Sequence, residues 1–300
     1  MFQGKEEIRS LVSLFKQRGV RLYHACQFIE FHSYLTVGGI PSHACLERRG
    51  LTYNPMVSDD NDRRNGVWDK VFVNLQDYGE IFANGRDGMP NAYGPILFKI
   101  SPEAFLVASE VAITLRSAGA FNFDRQQEAL CSMDEVERLF CYSSGPLIRF
   151  GSNLRLAFPE RSTNCVESTE IHCVYPDGYL PLEYVESVLV DPYQIKGKYL
   201  QFFVDNVRSS FRIRFGISTR VARDECRQRL YNELGSIFLS SILSKAPIPT
   251  LDELIDSSSV SCDMQEWAQR IFERNIAWQF DGRFAPYLCN ATLRPVLQLT

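Results

Sequence analysis

Apolar and polar positions alternate along this chain with two different periods. Over residues 5–17, Ile8, Leu11, Val12, Leu14 and Phe15 recur among charged residues at the spacing of a short amphipathic helix. Residues 21–24 have the pattern of a strand entering a helix at 27–37, with Gly38-Gly39 closing it. The stretch 50–66 is polar and predicts a loop with a helical turn around Arg63. Residues 67–75 predict a strand, 84–90 a Gly- and Asn-rich turn, and 95–100 a second, buried strand. Ser101-Pro102 predicts a helix start, with Ser as cap and Pro at the first position. Residues 105–113 carry mixed strand and helix character.

Further on, Ser132 and Glu135 form a capping-box pattern for a helix over 133–142, and 143–166 is loop-rich. Strands are predicted at 170–174 and 185–190. From about 197 the pattern changes to a long amphipathic helix over 219–245, broken by Pro247 and Pro249, and further helices at 251–255 and 264–276. The expected organisation is a mixed α+β core over 1–195, including the short N-terminal helix, and a mainly helical C-terminal extension over 196–300.

Composition narrows the function classes. The 300 residues are 45% hydrophobic and 23% charged, as in an ordinary globular protein. A net charge of −4 gives no global field for phosphates, so a nucleic-acid partner needs a local basic groove. Arg212, Arg214, Arg220 and Arg223, with Phe203 and Phe211 nearby, are the candidate groove; a solvated face is the plainer reading. The nine cysteines include no C-x-x-C pair, so no metal site is expected. With no secretory leader and no apolar run of about 20 residues, the expectation is a cytoplasmic protein with reduced thiols and no membrane contact. A dinucleotide G-x-G-x-x-G after a strand, a Walker A loop and a G-x-S-x-G elbow are all missing.

The chemistry rests on a spaced set of polar residues. Tyr23-His24 lies on the first strand, Arg63-Arg64 precedes the strand at 67–75, and Glu170 begins the strand at 170–174. A carboxylate held rigidly at a strand start, a forked cation and a histidine are the parts needed to hold NAD and break its glycosidic bond. Arg64 stands ahead of Arg63 as the catalytic arginine by its position before the strand. Glu167 and Glu128 compete with Glu170. His172 alternates onto the face of Glu170 and either lines a site or packs. Asn74 and Tyr78 are candidate substrate contacts, Tyr78 by stacking. Gly39 is a candidate cofactor contact.

These residues resemble the DarT family of DNA ADP-ribosyltransferase toxins. The similar stretches are Leu22-Tyr23-His24 with a helix ending at Gly38-Gly39-Ile40, Asp62-Arg63-Arg64 before Val71-Phe72-Val73-Asn74-Leu75, Gly94-Pro95-Ile96-Leu97, and Ser168-Thr169-Glu170-Ile171 followed by Leu180-Pro181-Leu182-Glu183-Tyr184-Val185 and Val188-Leu189-Val190. The resemblance covers about 170 of the 300 residues. It implies an ADP-ribosyltransferase-like split sheet with flanking helices, and NAD as co-substrate bound by Tyr23, His24, Arg63 and Gly39. It further implies transfer to a base in single-stranded DNA, a toxin or phage-defence role, and an antitoxin of macrodomain or other ADP-ribosyl-hydrolase type. Ser168 stands where relatives carry Gln, and the strand at 71–75 lacks a Tyr-rich pattern. The target base therefore stays open between guanine and thymine, and RNA or protein stays open as the acceptor.

Overall fold

Residue Gly38 ends a helix and starts a strand because its φ of 83° lies in the left-handed region that glycine adopts without strain. Its N–H closes on the carbonyls of Tyr34 and Leu35, and the chain reverses into the next strand. The computed structural model describes residues 1–53, 59–77, 94–140, 151–161, 166, 168–192, 194–195 and 198–221.

The first helix, α1 (Lys5–Gln17), buries Ile8, Leu11, Val12, Leu14 and Phe15, the apolar stripe of its sequence. It is followed by β1 (Leu22–Cys26), α2 (Phe28–Val37), β2 (Gly39–Pro41), α3 (His43–Arg48), α4 (Asp59–Arg64) and β3 (Val71–Val73). Then come β4 (Ile96–Ile100), a 3₁₀ helix Pro102–Val107, β5 (Glu110–Thr114), β6 (Glu170–Val174), β7 (Tyr179–Pro181) and β8 (Val185–Val190). The short pair β9 (Gln194–Ile195) and β10 (Lys198–Tyr199) leads into a helix at Leu200–Ser210 and the strand β11 (Gly216–Thr219).

These strands form two main sheets. One has the order β1-β4-β8-β11, antiparallel except for the parallel β8–β11 pair; the other is antiparallel in the order β3-β6-β5. They meet at one bridge, where Tyr23 N–H donates to Asn74 O and Asn74 N–H donates to Tyr23 O, both at 2.8 Å. This mixed α+β arrangement is a split sheet, and the residues at the split come from β1 and from the end of β3. Phe31 of α2, Phe98 of β4 and Phe215 just before β11 pack edge to face or tilted and anchor α2 to the larger sheet.

Several expected elements are shorter than the apolar pattern suggests. The stretch 67–75 is strand only at Val71–Val73, because Val67 N–H bonds Asp62 O and Lys70 N–H bonds Val67 O, which folds residues 67–70 into a turn. The helix begun by Ser101-Pro102 is 3₁₀, and the ambiguous residues behind it divide between that turn and β5. The capping box at Ser132 starts a helix at Met133–Glu137 that tightens to 3₁₀ at Arg138–Phe140. Within the segment expected to be loop-rich lies a helix at Gly151–Ala157.

A division at 195/196 would cut the larger sheet, since β11 pairs with β8 over Gly216–Thr219. Just beyond it, Arg220 is buried, donating twice to Asp77 at 2.8 and 2.9 Å and once to Asp191 at 3.1 Å. Arg220 and the buried Phe203 are therefore internal and unavailable to a nucleic-acid groove, whereas Arg212 and Arg214 are exposed. Arg223 and the helices expected at 219–245, 251–255 and 264–276 lie outside the described residues apart from 219–221.

Candidate active site

A cavity opens where the two sheets split. Its wall takes Tyr23, His24 and Ala25 from β1, and Lys70, Phe72, Asn74 and Gln76 from the β3 segment. The second group follows strand alternation: the even positions face the cavity, while Val71, Val73 and Leu75 enter the core. Glu30 and Tyr34 of α2, His43 of α3, Asp62 of α4, Ser117 and Gly119 just after β5, Ser168 just before β6, and Glu170 of β6 complete most of the lining.

Glu170 is the first residue of β6, paired opposite Thr114 of β5. Three donors fix its carboxyl group. Ala118 N–H donates to Oε2 at 2.8 Å, His172 Nε2 lies 2.8 Å from the same oxygen, and Ser117 Oγ donates to Oε1 at 3.4 Å. His172 is wholly buried, with the rings of Phe72 and Phe123 at 5.1 and 5.6 Å. Its Nδ1 is buried with no hydrogen-bond partner, so the ring proton belongs on Nε2, where the carboxyl oxygen accepts it. His172 thus does not line the cavity as a substrate contact; it stands behind Glu170 and orients it.

His24 does line the cavity, but both its nitrogens are engaged. Nδ1–H donates to Phe72 O at 2.7 Å, which leaves Nε2 to accept from the Tyr34 hydroxyl at 3.0 Å. Desolvation lowers its pKa to about 4 against the opposing pull of the Phe72 carbonyl, so at neutral pH the imidazole is neutral. His24, expected to hold NAD, therefore has no free nitrogen with which to hydrogen-bond it. The Tyr34 hydroxyl, oriented by His24, is the polar group this pair presents. Glu30 accepts from Gln27 N–H at 2.8 Å, and so caps α2 while standing in the cavity wall.

Of the residues singled out from sequence, Tyr23, His24, Asn74 and Glu170 share the cavity wall. The arginines do not. Arg64 is exposed and donates to Asp60 O and Asn61 Oδ1 of its own helix. Arg63 pairs with Glu47 and lies 3.7 Å over the Trp68 ring, beside the cavity and not in it. Lys70 is the one lysine or arginine among the described residues that lines the cavity, and β-strand alternation with Phe72 and Asn74 was the signal for it. Gly39 is packed against β7: a Cβ there would sit 2.1 Å from the Tyr179 ring and 2.5 Å from Leu180 O. Its absence of side chain serves strand pairing, and it is outside the cavity wall. Glu128 is buried in a forked pair with Arg116 at 2.5 Å, away from the cavity. Tyr78 and Glu167 lie outside the described residues. Among the described residues, no group of three or more His, Cys, Asp or Glu is placed to hold a metal ion. No helix among them is long and apolar enough to cross a membrane.

No family model matches this sequence. No curated protein matches it either. Among solved structures, the chain is similar to Thermus sp. 2.9 DarT in complex with ADP-ribosylated ssDNA, at 14% identity and a TM-score of 0.40, over 67% of this chain and 93% of that one.

Proposed function

We propose that this protein is an NAD-dependent ADP-ribosyltransferase in which Glu170 is the catalytic carboxylate. The observation that carries the reading is the fixing of Glu170 by Ala118 N–H, Ser117 Oγ and buried His172 in the wall of the cavity at the split between the sheets. NAD supplies a ribose whose bond to a cationic leaving group breaks as positive charge develops on the sugar. A carboxylate already held in place stabilises that charge without reorganising, and the same group can orient or deprotonate an acceptor. Lys70 offers a cation for phosphate oxygens. Asn74 and Gln76 offer amides on the same wall, and Tyr34 a hydroxyl.

The acceptor we propose is a base in single-stranded DNA, guanine or thymine, on the strength of the DarT-like residue pattern. A toxin or phage-defence role in the cytoplasm, countered by an antitoxin that removes the modification, follows from the same pattern. RNA or protein is the second reading, favoured by the net charge of −4 and by the burial of Arg220, which removes one member of the candidate basic groove. Incubating labelled NAD separately with DNA oligonucleotides, RNA and cell lysate tests both. Label on DNA supports the first reading, label on RNA or protein alone the second, and no transfer to any of them would sink both.

A further inference from the structure

Beside Glu170 and His24, the cavity wall contains a third polar element that the proposed chemistry does not use. His43 opens α3 and lines the cavity. Its ring packs against Trp68 at 4.6 Å and Tyr53 at 5.1 Å. Glu47, one turn further along α3, holds the cluster together: it accepts from Trp68 Nε1 at 2.9 Å and Tyr53 Oη at 3.1 Å, and it pairs with Arg63. Arg63 in turn covers the Trp68 ring at 3.7 Å. Tyr53 and Trp68, both tied to Glu47, thus clamp one imidazole, and Arg63 closes over the Trp68 ring. The Tyr53 hydroxyl, the Trp68 indole N–H and both Glu47 oxygens are satisfied within the cluster, yet among the described residues neither nitrogen of His43 has a hydrogen-bond partner.

We infer that His43 is a ligand-recognition residue of this cavity, reading a neutral group that both donates and accepts a hydrogen bond. A neutral imidazole has one N–H and one bare nitrogen, so it matches a carboxamide or a hydroxyl and gives no charge to a carboxylate or phosphate. Desolvation first, and nearby His24 second, lower the His43 pKa to about 4, which keeps the ring neutral at physiological pH. Rigid aromatic packing on Trp68 and Tyr53 means the ring is positioned before a ligand arrives, so little ordering cost accompanies binding. Resting on the reading of this site as an NAD site, the group recognised is the nicotinamide carboxamide or a ribose hydroxyl.

The experiment is calorimetric titration of the full chain with NAD and with nicotinic acid adenine dinucleotide, which carries a carboxylate in place of the carboxamide. His43→Phe keeps the aromatic stack and removes both hydrogen-bonding atoms; His43→Gln keeps a donor and an acceptor. We expect His43→Phe to weaken NAD about tenfold, the worth of one to two hydrogen bonds, and His43→Gln to recover part of that loss. Wild-type preference for NAD over the carboxylate analogue, lost in His43→Phe, assigns the carboxamide. An equal loss for both ligands assigns a hydroxyl. Unchanged NAD affinity in His43→Phe overturns the inference alone. No NAD binding by the wild-type chain overturns both the inference and the reading on which it rests.

Discussion

The His172 imidazole lies 2.8 Å from the Glu170 carboxylate and is itself shut away from solvent, with its second nitrogen unpartnered. A buried histidine in this arrangement has one task, to donate from Nε2. Both residues belong to β6 and face the same way because strand side chains alternate with a period of two. The strand therefore delivers the carboxylate to the cavity and its orienting donor two residues further along the same face, where Phe72 and Phe123 pack against it.

Replacing His172 with Phe should separate orientation from binding. The ring slot between Phe72 and Phe123 is apolar, and phenylalanine fills it while removing a buried unpartnered nitrogen. We expect the melting temperature to stay within a few degrees. The kcat for transfer should fall about tenfold to a hundredfold, as for a reacting group left slightly misplaced, with KM for NAD unchanged. A His172→Phe enzyme with wild-type kcat would remove the orienting role.

Lys70 and Arg64 offer a direct comparison of two cations. Lys70 lines the cavity with its ammonium 3.0 Å from the exposed carboxylate of neighbouring Asp69, and Arg64 is bonded back onto its own helix. Lys70→Ala should raise KM for NAD by about tenfold or more, since a charge-assisted hydrogen bond is worth ~1.5–3 kcal/mol. Arg64→Ala should leave KM and kcat within about twofold, as a solvated surface substitution does. The opposite ranking, measured by steady-state kinetics, would restore the arginine that sequence position favours.

Much of this site was legible in the sequence, and the parts that were not share a physical reason. Glu170 begins β6 and Asn74 directly follows β3, where period-two alternation sets which way a side chain points, while the consecutive Tyr23 and His24 reach the wall together because β1 borders the split. Arg63 and Arg64 sit on a one-and-a-half-turn helix, where adjacent residues diverge by about 100° and order along the chain says little about direction. His43 and Tyr34 were missed because each becomes a cavity residue only through tertiary contacts, Trp68 and Tyr53 around His43 and His24 beneath Tyr34, whereas Lys70 was signalled by alternation with Phe72 and Asn74 and was passed over. The participation of β11 in the larger sheet was hidden for a similar reason. A four-residue strand has too few positions to show a period, and its pairing partner β8 is 26 or more residues away.

Gly39 tests whether a glycine serves the ligand or the fold. A Cβ at this position meets the Tyr179 ring and the Leu180 carbonyl at 2.1 and 2.5 Å, and a backbone oxygen cannot step aside cheaply. Gly39→Ala should cost about 1–3 kcal/mol of stability, as overpacking does, in denaturant unfolding. Unchanged stability with lost NAD affinity would instead assign Gly39 to ligand contact.

Acid should destabilise the protein through its cavity histidines. His24 and His43 have folded pKa values of about 4 against an ordinary 6.5, so their stabilising contribution is fully present above pH 6.5. Between 6.5 and 4 the unfolded chain takes up protons that the folded chain refuses, and stability falls with pH, by on the order of a few kcal/mol for the two neighbouring rings together. Denaturant midpoints measured from pH 7.5 to 4.5 should drop accordingly, and His43→Gln should flatten part of the slope. An identical slope in the variant would show that His43 titrates alike in both states.

We propose that Glu170 carries ADP-ribosyl transfer from NAD to a nucleic-acid base. Its most direct test is mass spectrometry of short single-stranded DNA oligonucleotides, one set for each base, incubated with NAD and either the wild-type chain or Glu170→Ala. We expect one added ADP-ribose on a single kind of base with the wild-type chain, and a loss of at least about a hundredfold in the variant, which should still bind NAD. Equal modification by the variant, or none by a wild-type chain that binds NAD, would contradict it.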